Sequence, residues 1–305
     1  MLELRNVFKR YDSVTAVAGL SLKIEPGGIF GILGPNGAGK TTTIRMIMGI
    51  IRPDEGEIRI FGEPFNESMK DRIGYLPEER GLYRKMKVLE HLVFLAEIKG
   101  VDAKEAARRG RMWMEKLEIS GWENKTVESL SKGMQQKIQF ISTVIHDPQL
   151  IILDEPFTGL DPINTQLLKD IIAEMQQDGR TIVLSTHLMD QVEKLCSKIC
   201  LINKGHKVLD GNLIDIKMEY GKNVVTMLFE GDSSAIKSFP GVEKVTAYGQ
   251  ELTITVREGL DTNELLKFAA DHGRVERFEV GEISLHDIFI SKVRGEGGEA
   301  DEKAV

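Results

Sequence analysis

The chain has 305 residues, with 40 Lys and Arg against 47 Asp and Glu and a formal net charge of -7. That balance excludes a general electrostatic attraction to DNA or RNA, and a 41% hydrophobic, 29% charged composition is that of a soluble globular protein of one large domain or two modest ones. No segment approaches the ~20 apolar residues that span a bilayer, and the opening Met-Leu-Glu-Leu-Arg-Asn has no apolar signal core, so the chain is expected to be soluble or held at a membrane by a partner.

In chain order, Leu2–Val7, Ala16–Ile24, Ile29–Leu33 and Glu57–Phe61 read as strands. The run Gly34-Pro35-Asn36-Gly37-Ala38-Gly39-Lys40-Thr41-Thr42 fits G-x-x-x-x-G-K-[ST]. It follows the apolar strand Ile29–Leu33 and precedes a predicted helix over Thr42–Ile50. A strand, a glycine loop and a helix N-terminus form a cradle of backbone N–H groups for a polyphosphate. Lys40 is expected to reach the β- and γ-phosphates as a point charge, and the Thr41 hydroxyl to ligate Mg2+.

Residues from about 80 to 147 are predicted to be mostly helical. Apolar residues recur there at three- and four-residue spacings in Val88–Lys99 and Ala103–Leu117. Strands and helices then alternate. Leu150–Leu153, Thr181–Ser185 and Ile199–Asn203 read as strands; Ile163–Gln177 and Leu188–Leu195 read as helices. That order predicts a mostly parallel sheet with helices packed on it. The strand Leu150–Leu153 ends in Asp154-Glu155, at the carboxyl edge where ligands bind in open α/β folds. Alone, such an end is more often a solvated strand terminus. After a phosphate loop it becomes a hydrolytic pair, with Asp154 holding Mg2+ and Glu155 orienting the attacking water. Cys196 and Cys200, the only cysteines, fit a reducing setting and buried packing.

The pattern changes after Tyr220. Strands are predicted at Asn223–Phe229, Val242–Tyr248, Glu251–Val256 and Arg274–Val280, with helices at Ser233–Phe239 and Asn263–His272. The order β-α-β-β-α-β is the ferredoxin-like arrangement. A last helix is predicted from Leu285 to Val293, and the acidic, glycine-rich remainder is expected to be disordered. No internal repeat is present.

A further run, Leu130-Ser131-Lys132-Gly133-Met134-Gln135, lies about twenty residues before Asp154. It resembles the Leu-Ser-Gly-Gly-Gln signature of ATP-binding-cassette (ABC) ATPases, with Lys132 and Met134 as departures. Its physical sense is a helix N-terminus that offers Ser131 and backbone N–H groups to an anion. The resemblance implies that this anion is the γ-phosphate bound by an opposite subunit. It also implies that Tyr11 stacks on adenine (its other reading is a core tyrosine). Gly159-Leu160-Asp161 resembles the loop that crosses the dimer interface, and His187 the histidine that contacts the γ-phosphate. In Gly74-Tyr75-Leu76-Pro77-Glu78, Glu78 stands where the family usually has a glutamine that ligates Mg2+, and its oxygen can serve the same metal.

The resemblance covers about residues 1–215. The remainder, with Glu78 and the Ser-Lys-Gly-Met signature, looks like the accessory domain and subgroup of exporter ATPases that include sodium-extruding and drug-resistance pumps. The implied fold class is an α/β phosphate-loop NTPase over residues 1–218, with a helical subdomain at about 80–147. A small α+β ferredoxin-like domain over 219–293 and an acidic tail at 294–305 follow. The implied function is ATP binding and hydrolysis that powers an exporter, with Mg2+ as cofactor. Implied partners are separate transmembrane permease subunits and a second ATPase subunit in a homodimer with ATP at the interface. ATP is the only nucleotide expected, and the implied location is the cytoplasmic face of the cell membrane. Three alternatives stay open: an importer subunit, a soluble ABC ATPase not coupled to transport, and a regulatory module in which the C-terminal domain is the working part. The single phosphate loop, the lack of sustained heptads and the net charge weigh against a soluble ribosome- or DNA-associated form.

Overall fold

The computed structural model describes residues 1–79, 81–220, 224–257, 259–281 and 284–292. The chain divides into two compact units, Met1–Gly211 and Asn212–Val305. The first unit opens with β1 (Leu2–Tyr11) and β2 (Val14–Ile24), which pair antiparallel and are joined by β4 (Glu55–Ile60) and β5 (Glu63–Pro64) in the order β2-β1-β4-β5. Leu2 lies between Ile24 and Ile60, and Leu4 between Leu22 and Ile58. All six of these side chains are buried, because alternate residues of a strand share a face.

A second, six-stranded sheet has the order β10-β9-β3-β8-β7-β6. Its strands are β3 (Ile29–Leu33), β6 (Ile73–Leu76), β7 (Leu150–Asp154), β8 (Thr181–Thr186), β9 (Lys198–Asn203) and β10 (His206–Asn212). Every residue of β3, β7 and β8 is buried. A parallel strand covered on both faces needs an unbroken apolar run, and these sequences supply one. The pairs β9/β3, β3/β8, β8/β7 and β7/β6 are all parallel. Their register aligns Leu33 with Thr186, Asp154 with Ser185, and Leu76 with Leu153. The loops after β3, β6, β7 and β8 therefore open at one sheet edge. Helix α1 (Lys40–Ile47) buries Ile44, Met46 and Ile47 in a core shared by both sheets.

The helical region consists of α2 (Val88–Ile98), α3 (Ala103–Lys116) and α4 (Lys132–Val144). Asp102 caps α3 through the backbone N–H groups of Lys104 and Glu105. Trp113 meets Phe140 edge-to-face at 6.3 Å, which joins α3 to α4. Helices α5 (Pro162–Gln177) and α6 (Met189–Leu195) complete the alternation with strands. Among the described residues no helix is long and apolar enough to cross a membrane.

The second unit begins with α7 (Leu213–Tyr220). Then come β11 (Val224–Gly231), α8 (Ser233–Lys237), β12 (Val242–Tyr248), β13 (Glu251–Val256), α9 (Thr262–His272) and β14 (Gly273–Gly281). The sheet order is β12-β13-β11-β14 with every pair antiparallel, the ferredoxin-like topology. Val225, Met227, Ile254, Leu265 and Ala269 lie in its own core. A final helix spans 285–292. Val293 and the 294–305 tail lie outside the described residues.

Three features depart from the sequence reading. The first compact unit ends at Gly211, whereas the sequence reading carries the first domain to residue 218; α7, with buried Leu213 and Ile216, belongs to the second unit. Strands β6 and β10 were not predicted: β6 has only four residues, and β10 is polar and only partly buried. The two-residue strand β5 was not predicted either.

Candidate active site

The loop from Gly34 to Thr42 closes one wall of an open cleft of about 610 Å³. Two of its positions require glycine. Gly34 has φ +151° and a Cβ there would lie 2.1 Å from the Ile202 carbonyl oxygen. Gly39 has φ +105° and its Cβ would lie 2.3 Å from the Ala16 carbonyl oxygen. These contacts press the loop against β2 and β9 and start α1 at Lys40. The loop's N–H groups and the first turn of α1 are thereby gathered at one point, the arrangement that binds polyphosphate.

Lys40 is buried. Its Nζ donates to the carbonyls of Gly34 at 2.8 Å and Pro35 at 3.2 Å. Burial pushes its pKa down, while the carboxylates of Glu155, Asp154 and Glu78 hold it up. Three acids, Glu155, Asp154 and Glu78, thus act on the Lys40 ammonium.

Asp154 closes β7 and is fully buried, with neither carboxylate oxygen in a hydrogen bond. Burial raises its pKa. The hydroxyls of Ser185 and Thr41 stand close enough to oppose that rise but not in full hydrogen-bond geometry, and Glu78 and Glu155 add to it. An orphaned buried carboxylate beside a threonine hydroxyl is expensive unless a cation completes it. Asp154, Thr41 and Glu78 bring oxygen donors near one another here. That set suits a hard divalent ion such as Mg2+. Among the described residues no group of three or more His, Cys, Asp or Glu forms a self-sufficient metal cage. A metal held here needs oxygens from a ligand, as Mg2+ bound with phosphates does.

Glu155 has φ +51°, a left-handed conformation that non-glycine residues adopt at an energetic penalty. Its backbone N–H donates to the Ser185 carbonyl at 2.9 Å. One carboxylate oxygen, Oε2, accepts from Thr186 Oγ1 at 2.9 Å. The other, Oε1, accepts from the His187 backbone N–H at 3.0 Å and meets His187 Nδ1 at 2.7 Å. A carboxylate can only accept, so the proton of that contact belongs on Nδ1. Thr186 Oγ1 in turn accepts from the Leu188 N–H at 3.1 Å. Both oxygens of Glu155 are thus oriented by the turn after β8.

The sequence-predicted residues separate into two groups. Asn36, Gly37, Ala38, Gly39, Lys40, Thr41, Thr42, Glu78 and Glu155 line the cleft, and Gly34, Pro35, Asp154 and His187 touch residues that do. Tyr11 lies outside the lining, exposed at the end of β1 with the Lys9 ammonium 5.5 Å from its ring centroid, while Val14, Thr15 and Ala16 are part of the lining. The signature residues also lie outside it. Ser131 caps α4 by accepting from the Met134 N–H at 3.2 Å, Leu130 is buried, Lys132 is exposed, and Gln135 Nε2 donates to the Leu130 carbonyl at 3.1 Å. A Cβ on Gly133 would lie 3.6 Å from the Gly159 carbonyl oxygen, so the signature turn borders the loop that leads to Asp161. Asp161 itself caps α5 through the Asn164 N–H at 2.9 Å.

Sequence reasoning missed Thr186 and Lys204, and gave no role to Gln136, which directly follows the signature residues. Thr186 stood in the Ser-Thr-His run already singled out for His187. Gln136 is buried and donates to the Pro156 carbonyl at 3.0 Å, next to Glu155. Lys204 reaches the cleft from the β9–β10 turn, which is anchored to the phosphate loop by the Gly205 N–H donating to the Ala38 carbonyl at 2.9 Å. No local pattern marks that lysine.

Known proteins align with both units. The ABC transporter family profile matches residues 17–158, and the profile described as "ATP-binding protein DrrA1-3-like, C-terminal domain" matches residues 211–293. The chain is 46% identical over 295 residues to the uncharacterized ABC transporter ATP-binding protein YhaQ of Bacillus subtilis, covering 96% of this chain and 98% of the relative. It is 34% identical to the Nod factor export ATP-binding protein I of Paraburkholderia xenovorans over 95% of each chain. A solved ATP-binding subunit of an ABC transporter superimposes with a TM-score of 0.68 at 29% identity, covering 72% of this chain and 93% of that one.

Proposed function

The chain belongs to the ABC transporter family of ATP-binding proteins, and from that premise we propose that its cleft binds ATP with Mg2+ and hydrolyses it to drive export through separate membrane subunits. The observation that carries the chemistry is the convergence of Lys40, Asp154 and Glu155 at one sheet edge. Asp154 and Thr41 would hold Mg2+, with Glu78 as a further oxygen donor, and the ion would supply neutralisation of phosphate charge. The loop amides and Lys40 orient the triphosphate. Glu155, aimed by Thr186 and His187, positions the attacking water and accepts its proton.

The Ser131 end of α4 is not part of this cleft's lining, which supports its use by a second copy: two chains meet head to tail, and each closes the other's ATP site. His187 then answers to the γ-phosphate from the same turn that holds Glu155. The export direction is supported by the relative named for Nod factor export and by the DrrA-like match of the second unit. The chain works at the cytoplasmic face of a membrane, bound to permease subunits that carry the substrate path.

Glu155→Gln tests this reading. The expected result is retained ATP binding, a loss of turnover of about 10²- to 10⁴-fold, and accumulation of an ATP-bound dimer in size-exclusion chromatography with light scattering. Unchanged hydrolysis removes Glu155 from the mechanism. Copurification with a ribosome or a DNA-repair complex in place of a membrane protein would overturn the exporter assignment.

A further inference from the structure

Helix α4 is capped by Ser131, and its middle touches the backbone next to two residues of the cleft. Gln136 and Gln139, one turn apart, are both buried. The Gln136 amide holds the Pro156 carbonyl beside Glu155. The Gln139 amide donates to the Pro77 carbonyl at 2.8 Å and to the Glu79 carbonyl at 3.4 Å. Those two carbonyls flank Glu78, which lines the cleft and whose charge acts on Lys40 and Asp154. Strand β6 ends at Leu76, and among the described residues no other hydrogen bond holds Pro77–Glu79. Among the described residues, Gln139 is thus the side chain that hydrogen-bonds the backbone on either side of Glu78.

We propose that Gln139 is a positioning residue for Glu78: its carboxamide holds the carbonyls on either side of Glu78 and so sets where that carboxylate stands in the cleft. This rests on the reading that the cleft holds a divalent metal with ATP. It adds a link within one subunit between the helix that starts at the signature and an acid on the metal side of the cleft. A displacement of α4 moves Glu78 with it, and Gln136 ties the same helix to the residue after Glu155.

The test uses Gln139→Met and Gln139→Glu in the full chain. Methionine keeps the side-chain length and removes the N–H donor. It also removes a buried Oε1 that has no partner, so the fold loses little. Glutamate keeps the shape but turns an oxygen toward two carbonyls. The first readout is Mn2+ affinity by electron paramagnetic resonance with a non-hydrolysable ATP analogue, and the second is the split between kcat and KM for ATP. The expected result for both variants is Mn2+ affinity weakened by about tenfold, kcat reduced, and KM for ATP changed by less than about twofold. In a Glu78→Gln background, Gln139→Met is expected to add less than about twofold, because its effect passes through Glu78. A folded Gln139→Met protein with wild-type Mn2+ affinity, or losses that multiply in the double variant, overturns the inference. A wild-type chain that binds Mn2+ with the analogue but turns over no ATP ends the proposed function instead, and the Mn2+ comparison still decides the role of Gln139.

Discussion

Asp154 is the residue where stability and chemistry oppose each other. Its carboxylate is fully buried with no hydrogen bond, and burial raises its pKa. The folded chain therefore keeps this proton to a higher pH than the unfolded chain does. Stability from this group is greatest below the ordinary Asp range and is lost as pH rises through the raised folded value. Asp154→Asn removes that loss. The variant is expected to melt at a higher temperature than the wild type in metal-free buffer at neutral pH, with the gap closing in acid. It is also expected to gain no stability from Mg2+ with ATP, where the wild type gains. Differential scanning fluorimetry at two pH values, with and without Mg2+ and ATP, measures both effects; a lower metal-free melting temperature for the variant contradicts the argument. At this scale the sequence was informative where a residue's role follows from its neighbours in the chain. Lys40 and Thr41 follow a glycine loop, and Asp154 closes an apolar strand. Thr186 was not legible, because its bond to Glu155 depends on the register that sets Asp154 beside Ser185. Lys204 was not legible either, since a hairpin far along the chain brings it to the cleft.

Helix α4 and strand β6 form the element pair on which the cleft's far wall depends. They pack tightly at Gly74, where a Cβ would lie 2.3 Å from the Thr143 carbonyl oxygen and 3.0 Å from Pro148 Cγ. The obstacle at Thr143 is backbone, which cannot rotate aside. Gly74→Ala is therefore expected to push α4 off β6 and to destabilise the first unit by about 1–3 kcal/mol, read as a lower urea midpoint. ATP turnover should fall with it, because Pro77–Glu78 continues from β6. An unchanged midpoint would show that the helix and strand are less tightly packed than these distances imply. The helices of this region were visible in the sequence, since apolar residues recur along α2 and α3 at helical spacing. Strand β6 was not. Four residues interrupted by glycine carry no clear period, and only the parallel ladder from Ile73–Leu150 to Leu76–Leu153 makes them a strand.

Across the whole molecule, the two units have separate hydrophobic cores. The cleft lies wholly in the first unit. A ligand stabilises only the unit that binds it, by about 2.7 kcal/mol at a hundred times its dissociation constant. Calorimetry of the Glu155→Gln chain is expected to resolve two transitions, of which Mg2+ with ATP raises one and leaves the other within error. A single transition shifted as a whole would mean that the units unfold as one.

The sequence by itself determined the motifs that carry the chemistry and the order of most of the elements. The phosphate loop, the acidic strand end and the β-α-β-β-α-β succession are local patterns, written in spacing, glycine placement and apolar periodicity. The tertiary structure decided which distant residues serve the cleft. It brought Thr186 and His187 to Glu155, placed Val14–Ala16 rather than Tyr11 on the cleft wall, and set the Gln139 amide against the carbonyls around Glu78. Each of those depends on strand register and helix docking, which arise from packing between segments far apart in the chain and leave no mark in any single stretch of it.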